Sequence, residues 1–199
     1  MYPPPYYTDD DPDFARRIMR EHGFALLVIE GLAATHLPLL FSDEGGKGAL
    51  YGHVARSNPM CERLDGTAAL AVFSGPHAYV SAALYDDPSV SVPTWNYASV
   101  QVRGHVSAVA DAALPEHLTK LAQTYEGDGG WSPSDAPDYV SRISRGIVAV
   151  RIDISNVQAF RKMSGNKSPA IRKRIIDAAR ARGDDAFAIE MQTTPTSVI

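Results

Sequence analysis

One cysteine, Cys61, stands among 199 residues. That excludes an internal disulfide and any cysteine knuckle for a metal. Taken alone, Cys61 reads as a small apolar side chain, and its isolation fits a reducing cytosol. Long apolar runs are also missing, and none approaches the roughly 18 residues of a membrane-crossing helix. The opening Met1-Tyr2-Pro3-Pro4-Pro5-Tyr6-Tyr7 leads into acidic residues, the reverse of a basic secretory leader, so a soluble cytoplasmic protein is expected. Excess positive charge is absent too. A net charge of -4 argues against a surface built chiefly to neutralise phosphates. No glycine-rich loop is followed by Lys and Ser or Thr, no G-x-G-x-x-G follows a strand, and no G-x-S-x-G elbow occurs. His22, His36, His53, His77, His105 and His117 fall singly rather than at metal-ligand spacing. His36, His53 and His77 would meet only if their strands are neighbours.

What is present is ordinary in bulk. Apolar residues make up 45% of the chain and charged residues 21%, as in globular domains. The expected organisation is one domain over residues 1–183, which includes a last helix over 169–182, followed by a C-terminal tail over 184–199. Asp10-Asp11-Pro12 starts a helix, and Phe24 to Ile29 is an apolar run suited to a buried strand. Thr35 to Phe41 is a second strand, and a hairpin turn over 43–48 returns the chain along Ala49 to Val54. Asn58-Pro59 opens a short helical piece. Thr67 to Phe73 is a strand that Gly75-Pro76 is expected to break. Tyr97 to Val109 alternates as a long strand. Leu114 to Tyr125 is an amphipathic helix with Leu114, Leu118 and Leu121 on one side. Ser134 to Arg145 is another helix, Gly146 to Ile154 is a last strand, and the tail from Thr193 is expected to fray. Six or seven mostly consecutive strands lack the strict strand-helix alternation of a doubly wound sheet. A mainly β (α+β) fold is expected, an antiparallel barrel with peripheral helices, because closure removes exposed edges.

Four short segments stand out because they mix His, Asn, Thr and Trp with Pro and Gly inside strand-like sequence. A buried polar group costs free energy unless it is paired, so such residues suggest a polar site. In Ala34-Thr35-His36-Leu37-Pro38, His36 is either a hydrogen-bonded core histidine or a donor to an anion or heterocycle. Pro38 marks an edge or bulge. In Leu50 to Pro59, His53, Arg56 and Asn58 approach a helix start. That suits a phosphate, or else Asn58 is a cap and Arg56 is solvated. Gly75-Pro76-His77-Ala78-Tyr79 with Ser81 is turn chemistry or part of a site. In Val92-Pro93-Thr94-Trp95-Asn96-Tyr97, Trp95 would cap a flat ligand and Asn96 would read an amide-like edge, unless Trp95 and Tyr97 only pack at a contact.

Together these segments, with the late Lys162-Met163-Ser164-Gly165-Asn166-Lys167, resemble the PaiB family of FMN-binding negative transcriptional regulators, in the flavin split-barrel superfamily. The opening Met1-Tyr2-Pro3 also fits. The sequence departs from the family pattern at Ala82 after the serine, at Leu84-Tyr85 in place of a Trp-Tyr pair, and at Gly165 in place of glutamine. The resemblance implies an FMN-binding split β-barrel, a homodimer with FMN at the subunit interface. It implies phosphate contacts near Thr35, His36, His53, Arg56 and Asn58. Ser81 belongs to the motif set, Thr94, Trp95 and Asn96 lie by the ring system, and Lys162, Ser164 and Asn166 close the site. The chemistry agrees: a phosphate dianion takes Arg, Lys or N–H donors, and an isoalloxazine takes aromatic walls and amide-like partners.

Three outputs remain open, one of them a flavin-binding dimer that senses redox state and acts through a partner. The family implies a repressor, and the basic stretch Arg172, Lys173, Arg174, Arg180 and Arg182 is either a DNA-contacting surface or a solvated helix face. The alternative is an FMN-dependent oxidoreductase acting on a small molecule with NAD(P)H. No general acid stands out, although His36, His53 or Tyr97 could serve.

Overall fold

The computed structural model describes residues 7–44 and 46–196. The Met1-Tyr2-Pro3 motif, Gly45 of the expected turn and the last three residues of the expected tail lie outside that range. In chain order the elements are β1 (Thr8–Asp9), α1 (Pro12–Glu21), β2 (Phe24–Ile29), β3 (Ala33–Pro38), β4 (Leu40–Ser42) and β5 (Ala49–Ala55). They continue with β6 (Thr67–Val80), β7 (Thr94–Ala108), α2 (Leu114–Glu126), α3 (Pro137–Ser144), β8 (Ile147–Lys162), α4 (Pro169–Ala181) and α5 (Asp185–Thr193). The chain forms two compact units. Unit one comprises Met1–Ile18, Ser74–Val100 and Gln158–Ile199, and unit two comprises Met19–Phe73 and Gln101–Val157. The long strands β6, β7 and β8 supply residues to both.

Unit two holds the strand order β3-β2-β6-β7-β8-β5-β4, and every pairing in it with a defined register is antiparallel. Ala25, Leu27 and Ile29 of β2 are buried, whereas Leu26 and Val28 are half-covered. With Leu39, Leu50, Phe73 and Ile152 they make an apolar core. Each such large side chain contributes on the order of 1.5–3 kcal/mol by leaving water. Pro38 interrupts the strand as its chemistry predicts. β3 ends there, and the Leu39 N–H donates instead to the Gly23 carbonyl at 2.8 Å. Gly104 marks a close approach between neighbouring strands, because a Cβ there would collide with the Asp153 carbonyl.

Unit one contains the remaining parts of β6, β7 and β8, with β1 paired to β8 at Thr8↔Phe160 and Asp9↔Ala159. α1 enters it with Asp11 accepting the Asp13 N–H at 2.9 Å and Pro12 in its first turn. α4 starts at Ser168, whose hydroxyl accepts the Ile171 N–H at 3.3 Å. It buries Ile175 and Ala179, while α5 buries Phe187, Ala188 and Met191.

Several boundaries differ from those read in sequence. Gly75-Pro76 does not break β6, which runs unbroken for 14 residues. β2 pairs only with Ala69–Val72 of that strand, so the missing N–H of Pro76 takes nothing from that ladder. β7 begins at Thr94 rather than Tyr97, and β8 extends past Ile154 to Lys162. The segment read as a tail over 184–199 contains α5. The expected fraying from Thr193 is not found at Thr194, which is buried and whose carbonyl accepts from Arg172 at 3.0 Å. None of the described helices is long and apolar enough to cross a membrane.

Candidate functional site

The start of β7 and the end of β8 carry two of the motifs, and unit one brings them side by side. Lys162 at the last position of β8 donates from Nζ to Thr94 Oγ1 at 2.6 Å, and its ammonium lies 5.4 Å from the centre of the Tyr7 ring. Burial lowers the Lys162 pKa from its ordinary value. One strand position beyond Trp95, Asn96 is 1% exposed, and its Nδ2 donates to Ser164 Oγ at 2.8 Å. Ser164 is buried with a φ of 54°, a left-handed conformation that a residue other than glycine keeps only when its surroundings fix it. Two contacts fix it here. Asn96 holds its side chain, and the Ser164 carbonyl accepts the Lys167 N–H at 3.1 Å.

The loop is also tied from behind. Arg172 of α4 is 6% exposed, and its guanidinium donates to three backbone carbonyls: Met163 at 2.9 Å, Thr194 at 3.0 Å, and Met191. Such a clamp satisfies a buried cation with fixed acceptors. Next to Asn96, the Trp95 indole is 57% exposed. Tyr79 meets it edge-on at 6.1 Å between ring centres, and His77 is tilted against it at 6.2 Å. His77 is held by its own strand, Nδ1 lying 3.0 Å from the Gly75 carbonyl. Unit one therefore presents an open aromatic surface beside a buried amide, a hydroxyl and a half-buried ammonium. Ser81 caps the short turn Ala82–Leu84 by accepting the Ala83 N–H at 3.2 Å. Asn166 is exposed, and Lys167 lies over the Tyr85 ring at 4.9 Å.

The candidates of unit two are more dispersed. Thr35 and His36 lie on β3, where the exposed His36 ring stacks on Phe24 at 5.7 Å. His53 turns to His117 of α2, Nδ1 to Nε2 at 3.1 Å. Burial lowers the pKa of His53, and burial followed by the charges of His53 and Lys120 lowers that of His117 to about 4. Arg56 is committed to the chain itself, donating to the carbonyls of Arg145 and Ile147 at 3.0 Å each and to Asp111 at 3.3 Å. Asn58 caps the short turn Pro59–Arg63 by accepting the Met60 N–H at 2.9 Å. No group of three His, Cys, Asp or Glu side chains suited to a metal occurs among the described residues.

Sequence reasoning passed over four participants. Tyr79 and His77 sit in a motif that was noted, but their contact with Trp95 depends on β6 continuing through Gly75-Pro76. Arg172 was read as part of a basic face, and nothing local marks it as buried. His117 was legible, because it falls three residues after Leu114 on the covered side of α2.

Comparison with known proteins gives a consistent picture. Residues 1–156 match the model of the family described as "Putative FMN-binding domain". Among curated proteins, the chain is 30% identical over 185 residues to the protease synthase and sporulation protein PAI 2 of Bacillus subtilis, which bears out the PaiB resemblance. The alignment covers 89% of this chain and 88% of that one. Among solved structures, it is similar to the flavocytochrome of Azotobacter vinelandii, with a TM-score of 0.58 and 15% identity over 78% of this chain and 69% of that one. It is also similar to an FAD and heme binding protein of Mycobacterium smegmatis, with a TM-score of 0.56 and 14% identity over 78% of this chain and 73% of that one. At those identities the likeness concerns the fold, which is that of the flavin-binding split-barrel proteins.

Proposed function

The chain belongs to the FMN-binding domain family, and from that premise we propose that the ring of FMN lies against the Trp95 and Lys162 surface of unit one, which the buried Asn96 fixes from beneath. The observation that carries this reading is the pairing of two motifs 68 residues apart, Thr94 with Lys162 and Asn96 with Ser164. The residues fit the group. A flavin ring system needs a flat apolar wall and donors or acceptors along its polar edge, and the exposed indole and the half-buried ammonium offer those types, with the buried Asn96 amide holding the Ser164 loop beside them. When bound, FMN supplies one- and two-electron redox chemistry, and this chain's part is to bind and orient it. Asn96 and Thr94 fix positions along one strand. Lys162, its pKa lowered by partial burial, places a cation where a proton or negative charge is to be held.

The phosphate half of the reading rests on unit two by itself. Thr35 is half-buried and His36 exposed, and neither side chain makes a hydrogen bond among the described residues, whereas Arg56 and Asn58 already serve the local fold. A homodimer is part of this proposal. Trp95, Tyr79 and Val92 are large exposed apolar side chains, and exposed clusters of this kind mark contact surfaces.

As for output, the PaiB likeness supports a negative transcriptional regulator. The basic residues of α4 and its end give that role little: Arg172 is buried, Arg174 binds the Leu84 carbonyl and Asp86, Lys173 pairs with Asp177, and Arg182 pairs with Asp184. A regulator built this way acts through another surface or through a partner. Turnover of NAD(P)H by the flavin-loaded protein would favour the oxidoreductase alternative, and a salt-dependent DNA shift would favour the repressor.

The test is a visible-absorption titration with FMN of the wild type, Asn96→Ala and Lys162→Met. Shifted flavin bands with quenched ring fluorescence in the wild type, and at least tenfold weaker binding in both variants, would support the site. Wild-type affinity in both variants would remove it.

A further inference from the structure

Unit two contains a cavity of about 770 Å³, within the roughly 300–1,000 Å³ range of small-molecule sites. It lies between α2 and the strands β4, β5 and β8, and none of the residues assigned above to FMN lines it. Its floor is apolar: Met19, Leu39, Ala149 and Val150 are all buried. Phe41 and Tyr125 add aromatic walls.

The charged groups around that floor are not all paired with one another. Glu116 is neutralised by Lys120 on the next turn of α2 at 2.7 Å. Glu44 shares Arg151 with Asp153, at 2.9 and 2.8 Å, and also bonds the Tyr51 hydroxyl. Arg20 has no carboxylate partner among the described residues. Its guanidinium lies over the Phe41 ring, 5.4 Å from the centre. The charges that line the cavity sum to zero, but among the described residues Arg20 is the lining cation with no carboxylate in ion-pair range, and a guanidinium left in that state beside an apolar surface can take an anionic head group.

A second observation points the same way. His117 lines the cavity and is 7% exposed, yet its only hydrogen bond among the described residues is to His53. In the neutral pair one imidazole donates to the other, so each keeps one ring nitrogen for another partner. Whichever tautomer is present, one of those outer nitrogens donates and the other accepts. The outer His117 nitrogen is not a sealed orphan, and at the wall of the cavity it is open to water or to the polar group of a ligand.

We propose that this cavity is a second binding site, independent of FMN, for a small aromatic monocarboxylate whose carboxylate meets Arg20 and whose ring lies on the Leu39, Phe41 and Val150 surface. The site is complete within one chain. It needs no other ligand to form.

The experiment is a titration of the full-length, FMN-loaded protein with 2-naphthoate at neutral pH, followed by calorimetry and by the flavin spectrum. Its neutral isostere 2-naphthylmethanol is run in parallel. One saturable site per chain is expected, with an unchanged flavin spectrum. Binding should be at least tenfold weaker for the alcohol and for Arg20→Gln, an exposed position whose loss leaves the core intact. Ala113→Trp, which puts an indole into the cavity mouth, should abolish it. Should that variant fail to fold, Arg20→Gln and the alcohol carry the test unaided. Equal binding by Arg20→Gln, equal binding by the alcohol, or no binding at all would overturn the proposal. Release of FMN by naphthoate would overturn it as well, because the probe would then be occupying the flavin site. Titration of flavin-free protein separates the two readings, since failure of FMN to load leaves the naphthoate result unchanged.

Discussion

Units one and two bury similar kinds of apolar side chains, but different forces hold their distinctive parts in place. In unit two, strand register and a dense aliphatic core do most of the positioning, and its buried polar side chains, His117 and Gln101, carry no ion pair among the described residues. In unit one, ion pairs and polar clamps reach inward. Arg161 pairs with Asp9 at 2.7 Å and lies over the Phe14 ring at 3.8 Å. Arg17 pairs with the buried Glu190 at 2.8 Å, and Arg172 holds three carbonyls. Apolar packing tolerates small shifts, whereas a buried charge with fixed acceptors does not. The motif residues Asn96, Ser164 and Lys162 sit in the unit whose geometry is fixed by the stricter means, as a binding surface requires.

The largest effect that would break this comparison is expected at Arg172. Replacing it with Met keeps the stem but leaves three carbonyls without their donor, at a cost of about 3 kcal/mol. Urea denaturation read by amide exchange should show protection lost first in α4, α5 and the Ser164 loop, with β2 and β5 still protected. Uniform loss across both units would mean that the clamp is not local to unit one. Next in size is Asn96→Ala, for which the FMN dissociation constant should rise about tenfold, roughly 1.4 kcal/mol, with little change in the spectrum of unliganded aromatic residues. A change in stability without a change in affinity would make the Asn96–Ser164 bond purely structural.

Much of the fold was legible because the signals were local. Asp11-Pro12 and Ser168-Pro169 start helices where their chemistry says they should, and Pro38 interrupts its strand. The errors came where tertiary pairing overrode a local rule. Gly75-Pro76 reads as a breaker, yet it lies beyond the stretch of β6 that β2 pairs. The tail around Asp185 carries no strong amphipathic signal, and α5 forms because Phe187 and Met191 find a surface in unit one. The site was legible as motifs but not as geometry. Sequence grouped Arg56 and Asn58 with the ligand-binding set by resemblance, whereas their side chains are taken up by carbonyls and a turn cap. Arg172 was invisible, because a buried and an exposed arginine look alike in a helix.

A smaller effect sharpens the contrast from the side of unit two. His53 and His117 both have lowered pKa values, that of His117 to about 4. A histidine whose folded pKa is depressed gives its full stabilisation above the unfolded value near 6.5, and that contribution falls away as pH drops toward about 4. Melting temperature should therefore decline from about pH 6.5 downward, above the range where most carboxylates titrate. His117→Phe should flatten that decline while leaving the FMN affinity of unit one unchanged. An unaltered pH profile in the variant would place the acid sensitivity elsewhere.

The smallest expected effect separates the two meanings of Arg56. If its guanidinium is a phosphate ligand, Arg56→Ala weakens FMN binding at unchanged stability. The geometry favours the opposite result. Two of its three contacts are backbone carbonyls at either side of the start of β8, and the third is an exposed carboxylate. The exposed pair contributes little, and the carbonyl bonds contribute about 1 kcal/mol between them. Arg56→Ala should thus lower the unfolding free energy by about 1 kcal/mol and change the FMN dissociation constant by less than about threefold. Arg56→Lys would separate the explanations further, since an ammonium keeps the charge a phosphate needs but loses the planar fork that reaches two carbonyls at once. Restored stability in the lysine variant would weaken the backbone reading, and restored affinity in it would return Arg56 to the flavin site.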